Sequence, residues 1–280
     1  MDQKADPQLD PEILSYYNRR PEETRLERGL SQLEAIRTRE LIERHVPPAP
    51  ATVLDVGGAA GAYAGWLAEM GYEVHLVDAV PRLVDEARAR SASLSRPIAS
   101  CEVGDARSLI QPDASVDVVL LLGPLYHLTI SSDRARALAE AARVLRPGGV
   151  LFAAAISRWA SILDALVYDL FADPFFEGQV EREVSDGQHR NPEQHAGFFT
   201  TAYFHRPEEL REEVTAAGFQ MVALCGIEGP ARMLADFDER WSDPRRRGDM
   251  LRVARLLESE PALLGLSPHL LAVARKWPRR

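Results

Sequence analysis

The chain has 280 residues, of which 46% are hydrophobic and 27% charged, and its formal net charge is −9. A net charge of this sign argues against a broad nucleic-acid interface, and the two cysteines, Cys101 and Cys225, provide neither a disulfide framework nor a metal-ligand spacing. The polar, acidic N-terminus and the lack of a long apolar run predict no signal peptide and no membrane span. These features predict a cytoplasmic protein that binds neither nucleic acid nor a membrane.

Residues 1–50 are predicted to form a helical arm or cap. Hydrophobic residues recur at three- and four-residue spacing between Glu12 and His45, and the prolines from Pro47 onward end this pattern. Tyr16 and Tyr17 are adjacent, so they cannot both lie on one buried helix face. In one interpretation, one ring packs and the other is exposed. In the alternative, the arm folds across a ligand site and Tyr17 covers the ligand.

The segment VLDVGGAAG, residues 53–61, predicts a strand, a tight glycine-rich turn and the start of a helix. Such a turn lets the backbone approach a ligand closely, at the N-terminus of the helix that follows. A second strand, Glu73–Val77, ends at Asp78, whose carboxylate can accept hydrogen bonds from both hydroxyls of a ribose. Together these features predict a nucleoside-bearing cofactor at the carboxyl ends of a parallel sheet.

Further strands alternate with helices, which is the pattern of a parallel sheet with helices on both faces. The run VDVVLLL is apolar except for Asp117, as is typical of a strand that is buried on both faces. The sequence predicts an α/β protein with a Rossmann-like, doubly wound, mostly parallel sheet of about seven strands. The core is expected over residues 51–157 and, with its last helices and strands, over residues 204–280. The later strands are predicted at Ile98–Val103, Val116–Leu122, Val150–Ile156, Phe219–Cys225 and His269–Arg275.

Residues 158–203 interrupt the alternation after the fifth strand, and we expect them to form a lid over a substrate. Aromatic residues in the lid suit a planar or apolar substrate, and packing within the lid is the alternative. The histidines match no metal-ligand spacing, so we predict no metal site and expect them to be hydrogen-bonded or solvent-facing. The aromatic residues are Trp159, Phe175, Phe176, Phe198, Phe199 and Tyr203, and the histidines in or just after the lid are His189, His195 and His205.

Four motifs in order indicate the class of cofactor. A dinucleotide-binding turn has the pattern G-x-G-x-x-G, but alanine replaces two of the three glycines here. Asp55 lies two residues before Gly57, the tripeptide GDA at residues 104–106 follows the third strand, and RVLRPGG precedes the fifth. This combination resembles the class I S-adenosylmethionine (SAM)-dependent methyltransferases, especially the branch that includes the ubiquinone and menaquinone methyltransferases. The resemblance is densest over residues 53–156.

The resemblance implies SAM as the cofactor, with S-adenosylhomocysteine (SAH) as the product. Asp55 and Asp78 could instead be loop or cap residues, and Asp105 could form an Asx-turn. Ala59 stands at a glycine position of the family motif, where we expect it to fit with a negative φ angle. The resemblance places Gly57, Gly58, Ala59 and Gly61 along the methionine and ribose, Asp55 behind the turn near the amino group, Asp78 at the ribose hydroxyls, Ala79, Gly104, Asp105 and Ala106 at the adenine, and Leu122 and Gly123 beside the sulfonium.

The resemblance also implies methyl transfer to a small organic acceptor. His127, in the segment GPLYHL after the fourth strand, is the candidate general base, and a structural hydrogen-bonding role is its alternative. The candidate acceptor-binding residues are Tyr126, Trp159, Phe176 and Tyr203. Two other functions stay open, namely a SAM-binding regulatory protein without transfer activity and a nicotinamide oxidoreductase. We expect a monomer or a homodimer.

Overall fold

The computed structural model describes residues 10–19, 22–193, 195 and 198–277. Within these residues the chain forms nine β-strands and eleven α-helices. The strands are β1 (Thr52–Val56), β2 (Glu73–Asp78), β3 (Ser100–Val103), β4 (Val116–Leu121), β5 (Leu145–Ser157), β6 (Gln188–His189), β7 (Ala202–His205), β8 (Phe219–Gly226) and β9 (His269–Lys276). The α-helices are α1 (Pro11–Asn18), α2 (Ser31–Glu43), α3 (Ala62–Glu69), α4 (Pro81–Ala92), α5 (Pro124–His127), α6 (Ser131–Val144), α7 (Ala160–Tyr168), α8 (Pro174–Asp186), α9 (Pro207–Ala216), α10 (Phe237–Ser242) and α11 (Pro244–Leu257). Short 3-10 helices lie at Glu22–Glu27, Leu170–Ala172, Gly229–Met233 and Leu264–Leu266.

The central sheet has the strand order β3-β2-β1-β4-β5, and these five strands are all parallel. β9 pairs with β5 in the antiparallel sense, and β8 pairs antiparallel with β9. Successive residues of the buried strands face two separate hydrophobic cores, so that Leu54 packs in one and Val53 in the other. The predicted Rossmann-like, doubly wound and mostly parallel sheet is confirmed.

The insertion after β5 contributes two short strands that the sequence pattern did not predict. β6 and β7 pair antiparallel, and β7 joins β5 in parallel at Ile156 and Ser157. Ile156 is therefore flanked by Phe204 of β7 on one side and by His269 of β9 on the other. β7 crosses the boundary expected between residues 203 and 204, so the end of the insertion belongs to the sheet. Strands of two and four residues are too short to show a period in the sequence.

The N-terminal arm packs on the sheet through α2. Leu41 and Ile42 join the same hydrophobic core as Val53. The fully buried guanidinium of Arg37 donates to the carbonyl oxygen of Ile227 at 3.3 Å and pairs with Glu258. Among the described residues, none of the helices combines the length and the hydrophobicity that crossing a bilayer requires.

Candidate active site

The glycine-rich turn after β1 has a left-handed backbone at three positions. Gly57, Ala59 and Gly61 have φ angles of +71°, +46° and +77°. The N–H of Ala59 donates to Oδ2 of Asp78 at 2.9 Å. The expected negative φ at Ala59 is therefore wrong, because this hydrogen bond holds the residue in the left-handed region. That conformation costs a residue with a side chain about 1–2 kcal/mol.

The turn is packed so closely that additional side-chain atoms are excluded from it. The N–H of Gly57 donates to the carbonyl oxygen of Val77 at 2.7 Å. A Cβ atom on Gly57 would lie 2.6 Å from Cδ of Pro124, and one on Gly58 would lie 2.8 Å from Oδ2 of Asp55. Bare backbone is thus required here, as in turns that bring a main chain against a ligand.

Asp55 lies beneath this turn, and one of its carboxylate oxygens has no hydrogen-bond partner among the described residues. Asp55 is 1% exposed, and no described residue hydrogen-bonds to its Oδ2. Burial, together with the charge of Asp78, raises the pKa of Asp55 to about 7. A cationic group of a ligand at the turn would favour the ionised carboxylate and provide its missing partner.

The carboxylate of Asp78 connects the turn to the loop after β2. Besides the bond from Ala59, its Oδ1 accepts a hydrogen bond from the N–H of Val80 at 2.8 Å. The loop-capping role that the sequence left open is therefore present. Asp78 also lines the cavity described below, together with Ala79, and its oxygens can accept further hydrogen bonds. Burial raises the pKa of Asp78.

Asp105 forms an Asx-turn and an ion pair with Arg107. Its Oδ1 accepts a hydrogen bond from the N–H of Arg107 at 2.7 Å, and its Oδ2 accepts one from the guanidinium at 2.7 Å. Arg107 also donates to Asp133 at 2.6 Å. The Asx-turn alternative is thus present, while Gly104, Asp105 and Ala106 still line the cavity.

A cavity of about 710 Å³ extends from the glycine-rich turn to the insertion and the start of β9. Ligand sites commonly measure about 300–1,000 Å³, so there is room for a nucleoside cofactor and a small acceptor. The cavity is lined by every predicted cofactor-binding residue except Gly61. These residues are Tyr17, Asp55, Gly57, Gly58, Ala59, Asp78, Ala79, Gly104, Asp105, Ala106, Leu122 and Gly123.

An aromatic wall, formed by Tyr17, Tyr126, His127 and Phe199, lines the cavity beyond the turn. The hydroxyl of Tyr17 lies 2.7 Å from Nε2 of His127 and so joins α1 to α5. The rings of Tyr126, His127 and Phe199 have centroids 4.7 to 6.2 Å apart. The arm therefore reaches the cavity, as in the second interpretation of the tyrosine pair.

His127 is hydrogen-bonded through both ring nitrogens. Nδ1 lies 3.1 Å from the carbonyl oxygen of Thr201, so the geometry favours an Nδ1–H tautomer in which Nε2 accepts from the hydroxyl of Tyr17. Burial lowers the pKa of His127 to about 4. The imidazole is therefore neutral near pH 7, is a weak base, and already has the structural role that was its alternative.

Two arginine–carboxylate ion pairs and one histidine–carboxylate pair form an ionic wall of the same cavity, and none of the three was predicted from the sequence. Burial raises the pKa of Glu34, but the positive charge of Arg25 and its two hydrogen bonds, both 2.8 Å long, outweigh this effect and hold the pKa at about 2. Arg25 and Glu34 are nine positions apart, whereas the members of the other two pairs come from distant segments, so no local motif could have indicated those two. The pairs are Arg25–Glu34, Arg232–Asp164 and His269–Glu228.

Trp159 and Tyr203, both expected to bind the acceptor, do not line the cavity. Trp159 packs against Gly265, where a Cβ atom would lie 2.6 Å from its ring, and Arg206 lies over the ring 5.0 Å from the centroid. Arg134 lies 3.8 Å from the ring centroid of Tyr203. These contacts hold both rings outside the cavity, and a role of Trp159 and Tyr203 in binding an acceptor stays a prediction.

Gly61 also differs from its expected placement. It precedes α3, and a Cβ atom there would approach Ala87 and Ile98 at 3.3 Å, which are core residues. Gly61 therefore shapes the turn from behind and does not line the cavity. Of the other expected acceptor-binding residues, Tyr126 and Phe176 do line it.

The histidines in or just after the insertion bind separate carboxylates and share no site. Their partners are Glu183 for His189 at 2.5 Å, Glu193 for His195 at 3.2 Å and Glu213 for His205 at 3.2 Å. In the described part of the chain, one other group, formed by Glu34, Glu228 and His269, has ligand atoms within 4.8 Å of one another, close enough for a metal ion. No motif or spacing in the sequence indicates this group.

Comparison with known proteins places this site in a family. Residues 54–153 match a family model described as a methyltransferase domain. A ubiquinone/menaquinone biosynthesis C-methyltransferase from Acidiphilium cryptum is 34% identical over 196 residues, which cover 68% of this chain and 75% of that protein. The chain belongs to the class I SAM-dependent methyltransferases. The resemblance predicted from its motifs is confirmed.

Two further similarities bear on this family assignment. An uncharacterised methyltransferase of Mycobacterium tuberculosis is 39% identical over 112 residues, which cover 40% of this chain. The match spans 42% of the length of that relative. The crystal structure of a SAM-dependent methyltransferase from Methanosarcina mazei has a TM-score of 0.58 at 19% identity and covers 85% of this chain and 98% of that one. At that identity the similarity shows the fold.

The cofactor of class I methyltransferases is SAM, and the residues at the turn fit it. The buried Oδ2 of Asp55, to which no described residue donates a hydrogen bond, suits a cationic amino-acid group. The turn at Gly57 and Gly58 has no space for a Cβ atom, so backbone alone faces the cavity. Asp78 offers carboxylate oxygens to a diol at the end of β2.

Proposed function

We propose that the protein transfers a methyl group from SAM to a small organic acceptor that has a planar, apolar part. The observation that carries this proposal is that one cavity connects the glycine-rich turn to the aromatic wall and the ionic wall. A cofactor held at the turn would therefore share one cavity with a second molecule. Proximity of this kind can contribute about 7–11 kcal/mol to a bimolecular reaction.

In this proposal the cofactor lies along the carboxyl ends of β1, β2 and β4. Asp55 holds the turn and the amino group, and Asp78 binds the ribose hydroxyls. Tyr17 covers the cofactor from the arm. Gly57, Gly58 and Ala59 follow the methionine and ribose, Ala79, Gly104, Asp105 and Ala106 surround the adenine, and Leu122 and Gly123 lie beside the sulfur.

Bound SAM supplies a methyl group that is already activated by the positive charge on its sulfur. The residues of the chain then have to orient the acceptor and exclude water. Tyr126 and Phe199 offer aromatic surfaces against which a planar ring can pack, and Phe176 extends them. The hydrogen bond between Tyr17 and His127 holds the arm against this surface. We therefore assign His127 to positioning Tyr17.

Calorimetric titration with SAH tests the cofactor site. We expect a dissociation constant in the micromolar range, or about −8 kcal/mol. No binding at millimolar SAH would reject the proposal. A fluorescence titration with NADH is the control for cofactor class, because saturation by NADH would support an oxidoreductase instead.

Turnover then tests the transfer itself. The protein is incubated with methyl-labelled SAM and with simple phenols, hydroquinones and amines, and SAH formation is measured with and without each acceptor. We expect acceptor-dependent SAH formation with at least one aromatic compound. Tight SAH binding without turnover on any acceptor would favour the regulatory alternative.

A further inference from the structure

A tyrosine hydroxyl lies at the tip of β4, where the proposed function places the cofactor sulfur. Gly123 follows β4 and directly precedes α5, a single turn that contains Tyr126. A Cβ atom built on Gly123 would lie 3.7 Å from the hydroxyl oxygen of Tyr126, so the phenol folds back over the end of the strand. The carbonyl oxygen of Gly57 is 3.4 Å from the same point. Two uncharged oxygens, one from the glycine-rich turn and one from α5, therefore lie around this tip.

The hydroxyl of Tyr126 is left for a ligand. Tyr126 lines the cavity, and no described residue hydrogen-bonds to its hydroxyl. Tyr17 differs, because its hydroxyl lies 2.7 Å from Nε2 of His127. Tyr63 also lines the cavity, but it packs on a hydrophobic core and lies beside Thr38 of α2. Of these three tyrosines, Tyr126 is the one whose hydroxyl lies at the tip of β4.

Neighbouring rings hold Tyr126 in this orientation. Its ring centroid lies 4.7 Å from that of His127 and 6.2 Å from that of Phe199. His127 is itself held by hydrogen bonds to Tyr17 and to the carbonyl oxygen of Thr201. The ring of Tyr126 thus belongs to the aromatic wall, whereas its hydroxyl lies beside the turn that we propose binds the cofactor.

Burial keeps this hydroxyl protonated. It raises the pKa of Tyr126 above its ordinary value, and the charge of Arg25, which lowers that pKa, does not cancel the effect. A protonated phenol is a weak nucleophile, so it can lie beside a methyl donor without being methylated itself. Its oxygen still presents lone pairs, which attract a positive charge.

SAM and SAH differ only at the sulfur, which carries a methyl group and a positive charge in SAM and neither in SAH. In the proposed arrangement Asp55 and Asp78 contact the amino group and the ribose, which are the same in both molecules. These carboxylates therefore contribute little to a preference for either one. Specificity is a difference between two affinities, so a group that prefers SAM has to lie beside the sulfur. The hydroxyl of Tyr126 meets that requirement.

We propose that the hydroxyl oxygen of Tyr126 contacts the methylsulfonium group of SAM and raises the affinity of the protein for SAM relative to SAH. This proposal rests on the proposed methyltransferase function and on the cofactor position given there. The contact is a C–H···O hydrogen bond from a methyl group that the positive sulfur polarises, together with attraction between that charge and the phenol oxygen. The contact is lost once the methyl group has been transferred, which favours release of SAH.

Calorimetric titrations with SAM, SAH and sinefungin test this assignment. Sinefungin is a SAM analogue with a charged amino group in place of the sulfonium methyl group, so it should form a stronger, charge-assisted hydrogen bond with the same oxygen. Tyr126→Phe removes the oxygen and keeps the ring. We expect this variant to bind SAM about threefold to fivefold more weakly and sinefungin about tenfold or more weakly, with SAH affinity changed by less than about twofold.

The methyl signal of bound SAM in nuclear magnetic resonance gives a readout that does not depend on affinity. With SAM that is isotope-labelled in its methyl group, a C–H···O contact should shift the methyl protons downfield in wild type relative to Tyr126→Phe. Both proteins keep an aromatic ring at this position, so the ring-current shift is similar and the difference reports the hydroxyl. A merely structural role of the hydroxyl would leave this shift unchanged.

Two more variants are matched to Tyr126→Phe. Tyr72→Phe removes a hydroxyl that donates to the carbonyl oxygen of Pro47 at 2.8 Å, outside the cavity, and it should leave all three affinities unchanged. Tyr63→Phe removes a hydroxyl that lies beside α2 instead of at the tip of β4. It should leave the ratio of SAM affinity to SAH affinity unchanged.

The outcomes separate this proposal from the proposed function. Equal weakening of SAM and SAH in Tyr126→Phe, or no change in either, would overturn the role of its hydroxyl and leave the cofactor site in place. A lower SAM-to-SAH ratio in Tyr63→Phe, with a normal ratio in Tyr126→Phe, would also overturn it and would assign the sulfonium to the side of α2. If neither SAM nor SAH binds to the wild-type protein at millimolar concentration, the proposed function itself is rejected.

Discussion

The two ends of the cavity are built in different ways. The cofactor end is formed by backbone and short loops. Gly57, Ala59 and Asp78 belong to two consecutive strands and the turns that follow them. At the acceptor end, side chains from remote segments meet. Tyr17 and His127, for example, are 110 positions apart and join through one hydrogen bond. The first end is a local structure, whereas the second depends on the whole fold.

The two ends also differ in how their charges are balanced. Asp55 at the cofactor end has a buried oxygen without a described partner, so a cationic group of a ligand could bind there and balance its charge. At the acceptor end, the carboxylates of Glu34, Asp164 and Glu228 are each paired with a basic side chain. Such self-balanced charges suit an acceptor that arrives uncharged.

The largest expected effect is a loss of SAH affinity when the glycine-rich turn at the cofactor end is disrupted. Gly57→Ala adds a Cβ atom 2.6 Å from Pro124 and keeps φ at +71°, so the turn has to move. We expect SAH to bind about 100-fold more weakly by calorimetry, or ~2.7 kcal/mol. The matched control is Gly148→Ala, which has φ at +81° but open space around its Cβ position. It should lose less stability than Gly57→Ala and keep SAH affinity, and an equal loss of SAH affinity in both variants would contradict a close-packed cradle.

The same contrast explains what could be predicted from the sequence. The turn, the sheet and the carboxylates of the cofactor end follow from spacing within a short segment, because their geometry is set by neighbouring residues. His269 and Glu228 meet only after β8 and β9 have paired, and nothing near either residue indicates its partner. The position of Trp159 and Tyr203 outside the cavity could not be predicted for the same reason. Aromatic character shows in the sequence, but the arginines that hold their rings do not.

A second effect concerns the charge imbalance at the cofactor end. The pKa of Asp55 is about 7 in the free protein, and a bound cation should lower it by favouring the ionised form. We therefore expect SAH affinity to rise with pH up to about 7, by as much as about tenfold per pH unit, and then to level off. Calorimetry in buffers of different ionisation enthalpy should show proton release below that pH.

Asp55→Asn provides the control for this pH dependence, and its effects on binding and stability have opposite signs. Because the folded-state pKa of Asp55 is raised, its contribution to stability is full below pH ~4 and is lost as pH rises through about 7. At pH 8 the variant should unfold with a free energy about 2 kcal/mol higher. It should also bind SAH more weakly, with little pH dependence. An unchanged pH profile in the variant would show that another group titrates.

A smaller effect tests the arm at the acceptor end. Tyr17→Phe removes the hydroxyl that lies 2.7 Å from Nε2 of His127 and leaves that buried nitrogen without a donor. We expect SAH affinity to fall about fivefold, or ~1 kcal/mol, and hydrogen exchange in α1 to become faster. The matched control is Tyr72→Phe, which removes a 2.8 Å hydrogen bond to the carbonyl oxygen of Pro47, outside the cavity. If SAH affinity and exchange in α1 match those of wild type, the arm does not act as a cover.

The smallest expected effect is on the free energy of unfolding and tests whether the backbone of the glycine-rich turn is strained. Ala59 has φ at +46°, and the hydrogen bond from its N–H to Asp78 maintains this angle. In Ala59→Gly, relief of about 1–2 kcal/mol of strain outweighs the greater freedom of the unfolded chain. We expect the free energy of unfolding to rise by about 0.5 kcal/mol in chemical denaturation. Ala114→Gly, with φ at +50° and outside the cavity, should gain a similar amount. A loss of stability in Ala59→Gly alone would mean that the methyl group of Ala59 packs favourably and that alanine is the better residue for this turn.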